Sequence, residues 1–352
     1  MPSQPHRIQL PREVIVGSKI LKDMGEICRR LGFSGSILVL TGPKTYRIAA
    51  KTVINSLIKS KFHVNRLIVK EATMKPVVEA QQRIRKMKPS LVIGVGGGKV
   101  IDTAKLSSAR EEIPFVSVPT AASHDGVSST YASIKGLEKP VSIEAQAPIA
   151  IIADTNVIIW SPYRLTASGC GDIIAKYTAV RDWRLAHKLK NEYYGEYAAS
   201  LALMGARLIM QNASLIRKRT EESLRMVLEA LINCGVATSI AGSTRPASGS
   251  EHLFSHALDL IAPKPALHGE QCGVGTIMMA YLHEADWERV RNSLRKIGAP
   301  TTAKELGVKD EVIVKALTLA HKIRPERYTI LAERELSNEA AKKLARVTRV
   351  ID

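Results

Sequence analysis

The sequence predicts an α/β protein, with an N-terminal Rossmann-like parallel-sheet domain followed by an all-helical C-terminal domain. Three observations predict it. Short β-branched runs alternate with helix-length segments up to about residue 155, and helix-period apolar residues dominate from about Ser161 onward. The apolar run at Leu91 also breaks into three consecutive glycines before a helical stretch. Strands joined by helix-length crossovers pair in parallel and are covered on both faces. The expected division is residues 1–158 and 159–352, and 352 residues suffice for a core in each.

In the first part the expected strands are Val14–Val16, Ser36–Leu40, Arg66–Val69, Leu91–Gly94, Phe115–Val118 and Ile149–Ala153. Helices are expected over Lys19–Leu31, Tyr46–Lys59, Pro76–Met87 and Val100–Ala109. Folds of this type bind ligands outside the carboxyl ends of their strands. The loops after Leu40, Val95 and Val118 are therefore the places where a ligand is expected. In the second part, Asn191–Ile216, Glu221–Asn233 and Asp310–Lys322 carry helical periodicity, and Gly and Pro punctuate Gly235–Pro265. Leu336–Asp352 reads as one amphipathic terminal helix.

Composition removes several function classes. The longest apolar stretches, Leu91–Val95 and Ile149–Ala153, are too short to span a bilayer, so no transmembrane segment is expected. Met1–Arg12 lacks an apolar stretch of signal-peptide length, and a cytoplasmic protein is expected. Cys28, Cys170, Cys234 and Cys272 form no CxxC pair, which argues against a zinc ribbon or a disulfide framework. They are expected to be small buried residues or free thiols. The net charge of +18 fits a nucleic acid, an anionic membrane or an acidic substrate. The basic residues are dispersed, with only Arg217-Lys-Arg219 as a run in the densest stretch, and aromatics are 5%. Stacking platforms for single strands are therefore few. No nucleic-acid partner is expected, and an anionic small molecule accounts for the charge.

Three segments carry chemistry. In Leu91-Val-Ile-Gly-Val-Gly-Gly-Gly-Lys-Val-Ile-Asp102 a buried strand runs through glycines into a helix. Such a turn lets backbone N–H groups approach a pyrophosphate, although it also suits tight helix–sheet packing. Lys99 stands where GxGxxG would have its third glycine, and the segment is not a Walker A loop. In Ser117-Val-Pro-Thr-Ala-Ala-Ser-His-Asp-Gly-Val-Ser-Ser-Thr130 a strand delivers hydroxyls, a His and an Asp into one loop. That loop could bind a cofactor and a polyol, or be an ordinary polar turn. The third set is dispersed. Asp172 lies in Ser168-Gly-Cys-Gly-Asp-Ile-Ile-Ala-Lys176, near the expected start of a helix. His252 and His256 share a helical face at i,i+4, and His268 follows a Pro263–Pro265 turn. One carboxylate with two or three imidazoles suits a catalytic zinc site with an open position. Spacing does not choose between His256 and His268 as the second imidazole, and helical histidine pairs also serve structural roles.

In this order, Gly96-Gly-Gly-Lys-Val-Ile-Asp-Thr-Ala-Lys105, the Pro119–Ser129 loop, the Gly-Cys-Gly-Asp segment and the two His segments resemble metal-dependent polyol dehydrogenases. That superfamily includes glycerol dehydrogenase and dehydroquinate synthase. Thr120-Ala-Ala-Ser-His-Asp-Gly-Val-Ser-Ser and Arg324-Pro-Glu-Arg-Tyr-Thr-Ile-Leu331 resemble the archaeal glycerol-1-phosphate dehydrogenase family in particular. The resemblance spans about residues 36–331. It implies a nucleotide-binding first domain and a metal- and substrate-binding second domain. It further implies NAD(P)H-dependent reduction of dihydroxyacetone phosphate to sn-glycerol 1-phosphate, for archaeal ether-lipid synthesis.

Carried over by position, the resemblance makes Asp172, His252 and His268 ligands of one Zn2+ per subunit. His256 and Asp125 become catalytic residues that also contact substrate, as does Asp172. Gly96, Gly97, Gly98 and Lys99 hold the pyrophosphate at the helix start that includes Val100 and Asp102. Thr120, Ala121, Ala122, Ser123 and Ser129 line the nicotinamide side. Leu38–Lys44 offers Thr41 and Lys44 and no acid, so NADP is expected as cofactor with NAD also accepted. Lys99, Lys135, Arg324 and Arg327 are the candidates for the substrate phosphate. A homo-oligomer is expected, as helical second domains of this kind self-associate. The alternatives are a glycerol or sugar-alcohol-phosphate dehydrogenase of the same superfamily and, in a different class, a basic nucleic-acid-binding protein without activity. Nickel or iron could also occupy a His/carboxylate site.

Overall fold

The β-branched runs of the N-terminal part pair into a single parallel sheet. The computed structural model describes residues 8–134, 141–331 and 336–352. Its strands are β1 (Glu13–Gly17), β2 (Ser36–Thr41), β3 (His63–Ile68), β4 (Leu91–Gly96), β5 (Phe115–Pro119), β6 (Tyr131–Ile134), β7 (Val141–Glu144) and β8 (Ala150–Asp154). The sheet runs β1-β8-β5-β4-β2-β3, with every pairing parallel. Along β2, Ile37 and Val39 face one layer while Leu38 and Leu40 face the other. That two-residue alternation, apolar on both faces, is what a sheet covered on both sides requires.

The first layer comes from a 3-10 turn (Ile20–Asp23), α1 (Met24–Arg30), α2 (Pro43–Thr45), a π-helical turn (Tyr46–Ala50) and α3 (Lys51–Lys59). Met24, Ile27, Val53 and Leu57 pack there against Ile37, Val39, Leu91 and Ile93. The second comes from α4 (Met74–Met87) and α5 (Gly98–Arg110), whose Ala80, Ile84, Ile101 and Ala104 pack on Leu38, Leu40 and Val92. Burial of each such Leu, Ile or Val stabilises the fold by about 1.5–3 kcal/mol. A short helix, α6 (Thr155–Ile158), follows β8, with the Asp154 side chain accepting from Asn156 N–H at its start.

Among the strands, two features depart from expectation. Strand β3 begins at His63 rather than Arg66 and ends at Ile68. It lies at the sheet edge, so exposed His63, Asn65 and Arg66 satisfy its geometry without the apolar pattern. The antiparallel pair β6–β7 was not expected. It is anchored from below by the buried Lys105 ammonium, which donates to the carbonyls of Gly126 and Tyr131, each at 2.7 Å. A strand held by a buried cation rather than by its own periodicity leaves little trace in sequence.

The chain divides into two compact units. One runs to Ala122 and resumes over Gly126–Tyr163; the other takes Ser123–Asp125 and Arg164–Asp352. Helices continue with α7 (Tyr163–Lys190), α8 (Glu196–Gln211), α9 (Ala213–Arg217), α10 (Glu221–Ala241), α11 (Ser250–Ile261) and α12 (His268–Leu282). They end with α13 (Trp287–Ile297), α14 (Ala303–Leu306), α15 (Asp310–Ile323) and α16 (Asn338–Val347). The expected helix over Asn191–Ile216 is thus two helices preceded by a non-helical segment, and the terminal helix is shorter than Leu336–Asp352. Helix α10 runs on to Ala241 and stops at Gly242, whose φ of 62° is left-handed and suits glycine. By length and composition α10 could cross a membrane, but 67% of its most apolar window is buried here. Its Ala237 and Ala241 pack with Trp183 and Ala202 in a core of this unit.

Candidate metal and cofactor sites

Glycines bring the metal-ligand candidates together. Asp172 sits in the interior of α7, not near a helix start as expected. Its neighbour Gly171 passes so close to α12 that a Cβ there would lie 2.2 Å from the Gly269 carbonyl oxygen. A Cβ on Gly269 would in turn lie 1.8 Å from the carbonyl oxygen of Ser168. Gly171 and Gly269 are therefore contact points between helices α7 and α12. On the other side of α12, Gly275 admits Phe254 and the Glu251 backbone from α11. Three helices converge, and the Pro263–Pro265 turn returns the chain so that α12 opens on His268.

The donors meet in one buried cluster of the second unit. His252 Nε2 lies 3.5 Å from Asp172 Oδ1. The His252 and His268 rings are 5.0 Å apart between centroids, nearly edge to face. Cys272 Sγ lies 3.6 Å from His268 Nε2, and one atom from each of His252, His268 and Cys272 falls within 4.8 Å of the other two. His252 Nδ1–H donates to Glu251 Oε1 at 2.7 Å. That carboxylate is itself fixed by Gly249 N–H and the Thr178 hydroxyl, each at 2.7 Å. A carboxylate on the far nitrogen sets the tautomer that leaves Nε2 free to coordinate.

The donors of the cluster differ in charge. Burial opposes ionisation of Asp172, but the charge of Lys176 and the two imidazoles outweigh it and hold its carboxyl well below the usual range. Burial also opposes a charge on His252, yet Cys272, Asp172 and Glu251 hold its pKa well above the usual imidazole value. Burial and the neighbouring His252 push His268 down to about 3. Its ring is neutral, the form that binds a metal.

Lys176, Glu251 and Cys272 were missed as site residues. Lys176 Nζ donates to Asp172 Oδ1 at 2.6 Å and pairs with Asp125 Oδ2 at 2.8 Å. The Asp125 N–H donates to Asp172 Oδ2 at 2.9 Å. The signals existed: Lys176 follows Asp172, and Cys272 follows His268, by four residues on a helix, and Glu251 adjoins His252.

His256 lies beside the cluster, 6.1 Å from His268 between ring centroids. Its Nδ1 is buried, is 3.9 Å from Asp259 Oδ2 and makes no hydrogen bond among the described residues. An orphaned buried nitrogen beside a set of one carboxylate and two imidazoles fits a site built for a metal and a polar ligand.

The first unit holds the cofactor candidates. The turn after β4 lies where the strand order reverses, between β4 and β2, the place where such sheets bind dinucleotides. Gly97 is the N-cap of α5, and a Cβ on it would meet nothing within 4 Å. Its φ of −82° does not demand glycine, so no internal contact explains the missing side chain. The space beside it would admit a close backbone approach by a phosphate. Gly96 differs, since a Cβ there would strike Val100 at 2.8 Å.

The remaining candidates divide. Lys99 Nζ donates to the Lys70 carbonyl, 2.9 Å away. The Asp102 carboxylate turns inward to Lys105 and Ser133 N–H. Thr120 N–H donates to the Gly96 carbonyl, which fixes the start of the second loop beside the glycine turn. Ala121 and Ala122 are buried, and the Ser129 hydroxyl donates to the Tyr131 carbonyl. Ser123 and Asp125 belong to the second unit. Thr41 is buried and bonded to the Thr45 hydroxyl at 3.0 Å, whereas Lys44 is exposed. Arg327 is engaged with the Ser248 carbonyl and the Thr244 hydroxyl, and Arg324 caps α15. Lys135 lies outside the described residues. All four cysteines are free and buried.

Comparison with known proteins gives a consistent picture. The family model for iron-containing alcohol dehydrogenase matches residues 15–162. A glycerol-1-phosphate dehydrogenase [NAD(P)+] of Methanothermobacter thermautotrophicus is 56% identical over 347 residues, covering 99% of each chain. The protein of that name from Pyrococcus furiosus is 54% identical, covering 98% of this chain and 100% of its own. Among solved structures, glycerol dehydrogenase from Schizosaccharomyces pombe has a TM-score of 0.79 at 19% identity, covering 98% of this chain and 91% of its own. Sulfoacetaldehyde reductase from Bifidobacterium kashiwanohense, solved with NAD+, has a TM-score of 0.74 at 17% identity, covering 99% and 100%. These two share the fold.

Proposed function

This chain belongs to the glycerol-1-phosphate dehydrogenase family of the iron-containing alcohol dehydrogenase superfamily, and from that premise we propose that it reduces dihydroxyacetone phosphate to sn-glycerol 1-phosphate. The reductant is NADPH or NADH, and the product is the backbone of archaeal ether lipids. The observation that carries this reading is the convergence of Asp172, His252 and His268, with His256 alongside, in one buried cluster.

Asp172, His252 and His268 are the ligands for one zinc ion per subunit. When bound, zinc supplies Lewis acidity toward the C2 carbonyl oxygen. The chain's own residues do the rest. Glu251 fixes the His252 ring, and the close-packed glycines hold α7 and α12 so that Asp172 and His268 stay in place. His256 delivers the proton that the new hydroxyl needs, directly or through water. Asp125, kept in position by the Lys176 ammonium, orients a substrate hydroxyl. Gly96, Gly97 and Gly98 admit the cofactor pyrophosphate at the start of α5, and Thr120, Ser123 and Ser129 serve the nicotinamide end. Hydride transfer requires that the donor and the acceptor carbon be aligned. For the substrate phosphate we assign Arg324, whose charge lies close enough to His256 to help lower its pKa.

Tyr197, Met204 and Leu208 expose 69%, 51% and 37% of their surface on α8. They support a homo-oligomer formed through this helix, which sedimentation of the wild type against Met204→Lys would test. Localisation in the cytoplasm follows the metabolic role proposed.

The test of function is NADPH oxidation with dihydroxyacetone phosphate against dihydroxyacetone, before and after chelation and zinc add-back. Turnover that needs the phosphate, falls on chelation and returns with zinc supports the assignment. Equal turnover of the unphosphorylated ketone would instead place the chain with the glycerol dehydrogenases.

A further inference from the structure

We propose that Cys272 is a sulfur donor of the same metal centre, forming with His252 and His268 a nitrogen–sulfur face that takes up thiophilic divalent ions. The inference rests on reading those two histidines as ligands and extends it to a residue outside that ligand set.

Placement is the first argument. Cys272 follows His268 by one turn of α12, so both side chains leave the helix on one face. Its sulfur lies 3.6 Å and 3.8 Å from the two ring nitrogens of His268. With His252 these donors already stand within 4.8 Å of one another. Shifts of about an ångström would let one ion reach both imidazoles at ~2.0–2.1 Å and the thiolate at ~2.3 Å. His252 and Cys272 are buried and His268 is half-buried, which limits solvent as a competing ligand around the sulfur.

The second argument is how the oxygen donor is occupied. Asp172 Oδ1 accepts from Lys176, and Oδ2 accepts from the Asp125 N–H. Its negative charge is therefore shared with a fixed ammonium. A thiolate adds a second anionic donor that is not shared in this way, and a bound cation displaces the thiol proton. Softness then decides among ions. A site with sulfur favours zinc, cobalt and cadmium over magnesium or manganese, which prefer oxygen.

The test uses the full chain loaded with Co2+ and read by absorption. The wild type should show a near-ultraviolet sulfur-to-cobalt charge-transfer band together with visible ligand-field bands. Cys272→Ser should lose the charge-transfer band and keep the ligand-field bands. A wild type that binds one equivalent of cobalt without the charge-transfer band would overturn the inference and leave the His/Asp site intact, as would a band that survives in Cys272→Ser. Cobalt uptake unaffected by His252→Ala would overturn the underlying ligand assignment itself. Should Cys272→Ser fail to fold, X-ray absorption of the zinc-loaded wild type decides: a sulfur scatterer at ~2.3 Å supports the assignment. A shell of nitrogen and oxygen alone refutes it.

Discussion

Lys176 Nζ stands 2.6 Å from Asp172 Oδ1, one helical turn apart on α7, and both side chains are almost wholly buried. The same ammonium reaches Asp125, so one cation is held between two carboxylates. Burial opposes the charge on Lys176, but Asp125 and Asp172 outweigh it and hold its pKa well above the usual value. Removing one member of a buried pair costs about 3–5 kcal/mol, because the partner charge is left uncompensated. Lys176→Met is therefore expected to lower the melting temperature of metal-free protein. Added zinc should restore part of the loss by replacing the missing positive charge. A variant that melts with the wild type would show that the pair is dispensable.

Glu251 is buried and accepts three hydrogen bonds, from Gly249 N–H, the Thr178 hydroxyl and His252 Nδ1–H. Glu251→Gln keeps the shape but not the charge that orients the imidazole. Zinc affinity, measured by competition with a chelating dye, is expected to weaken about 10–100-fold. Unchanged affinity would show that the Glu251 charge does not tune the His252 imidazole.

Two glycines separate a packing role from a binding role. Gly171→Ala drives a Cβ into the Gly269 carbonyl, and overpacking of this sort costs about 1–3 kcal/mol or more. A lower melting temperature is expected, with metal content falling alongside. Gly97→Ala meets no atom within 4 Å, so the melting temperature should hold while KM for NADPH rises. Loss of stability without a change in KM would mean that Gly97 serves the fold alone.

The pH profile should report His256. Burial, with the charge of His252 and Arg324, holds its pKa below the usual imidazole value despite Asp259 nearby. In the oxidation direction the residue must accept a proton, so it acts when neutral. The rate of glycerol 1-phosphate oxidation is expected to be level above a pH of about 6.5 and to fall as the pH drops through the lowered pKa. Stability follows the same sign. Below about 6.5 the unfolded chain takes a proton that the folded ring declines, so His256 makes the fold less stable as the pH falls. His256→Ala should abolish the acid limb of the rate profile, and an unchanged profile would sink the assignment.

Much of this molecule was legible from periodicity. The buried strands β2, β4, β5 and β8 appear as apolar runs because both of their faces are covered. Edge strand β3 starts three residues earlier than its apolar run, because one neighbour and a solvent face impose less pattern. The hairpin β6–β7 was invisible, since Lys105 anchors it from another element.

By itself the sequence determined which groups exist and in what order: a glycine turn after a buried strand, an acid, and histidines at helical spacing. Resemblance then separated His268 from His256 as the expected ligand. Only the tertiary structure decided that Gly169 and Gly171 lie within a continuous helix, where Gly171 serves a neighbouring backbone and not its own conformation. It also placed Lys176, Glu251 and Cys272 at the cluster. Their roles depend on distances between α7, α11 and α12, and local spacing along one helix cannot encode what a second helix brings to it.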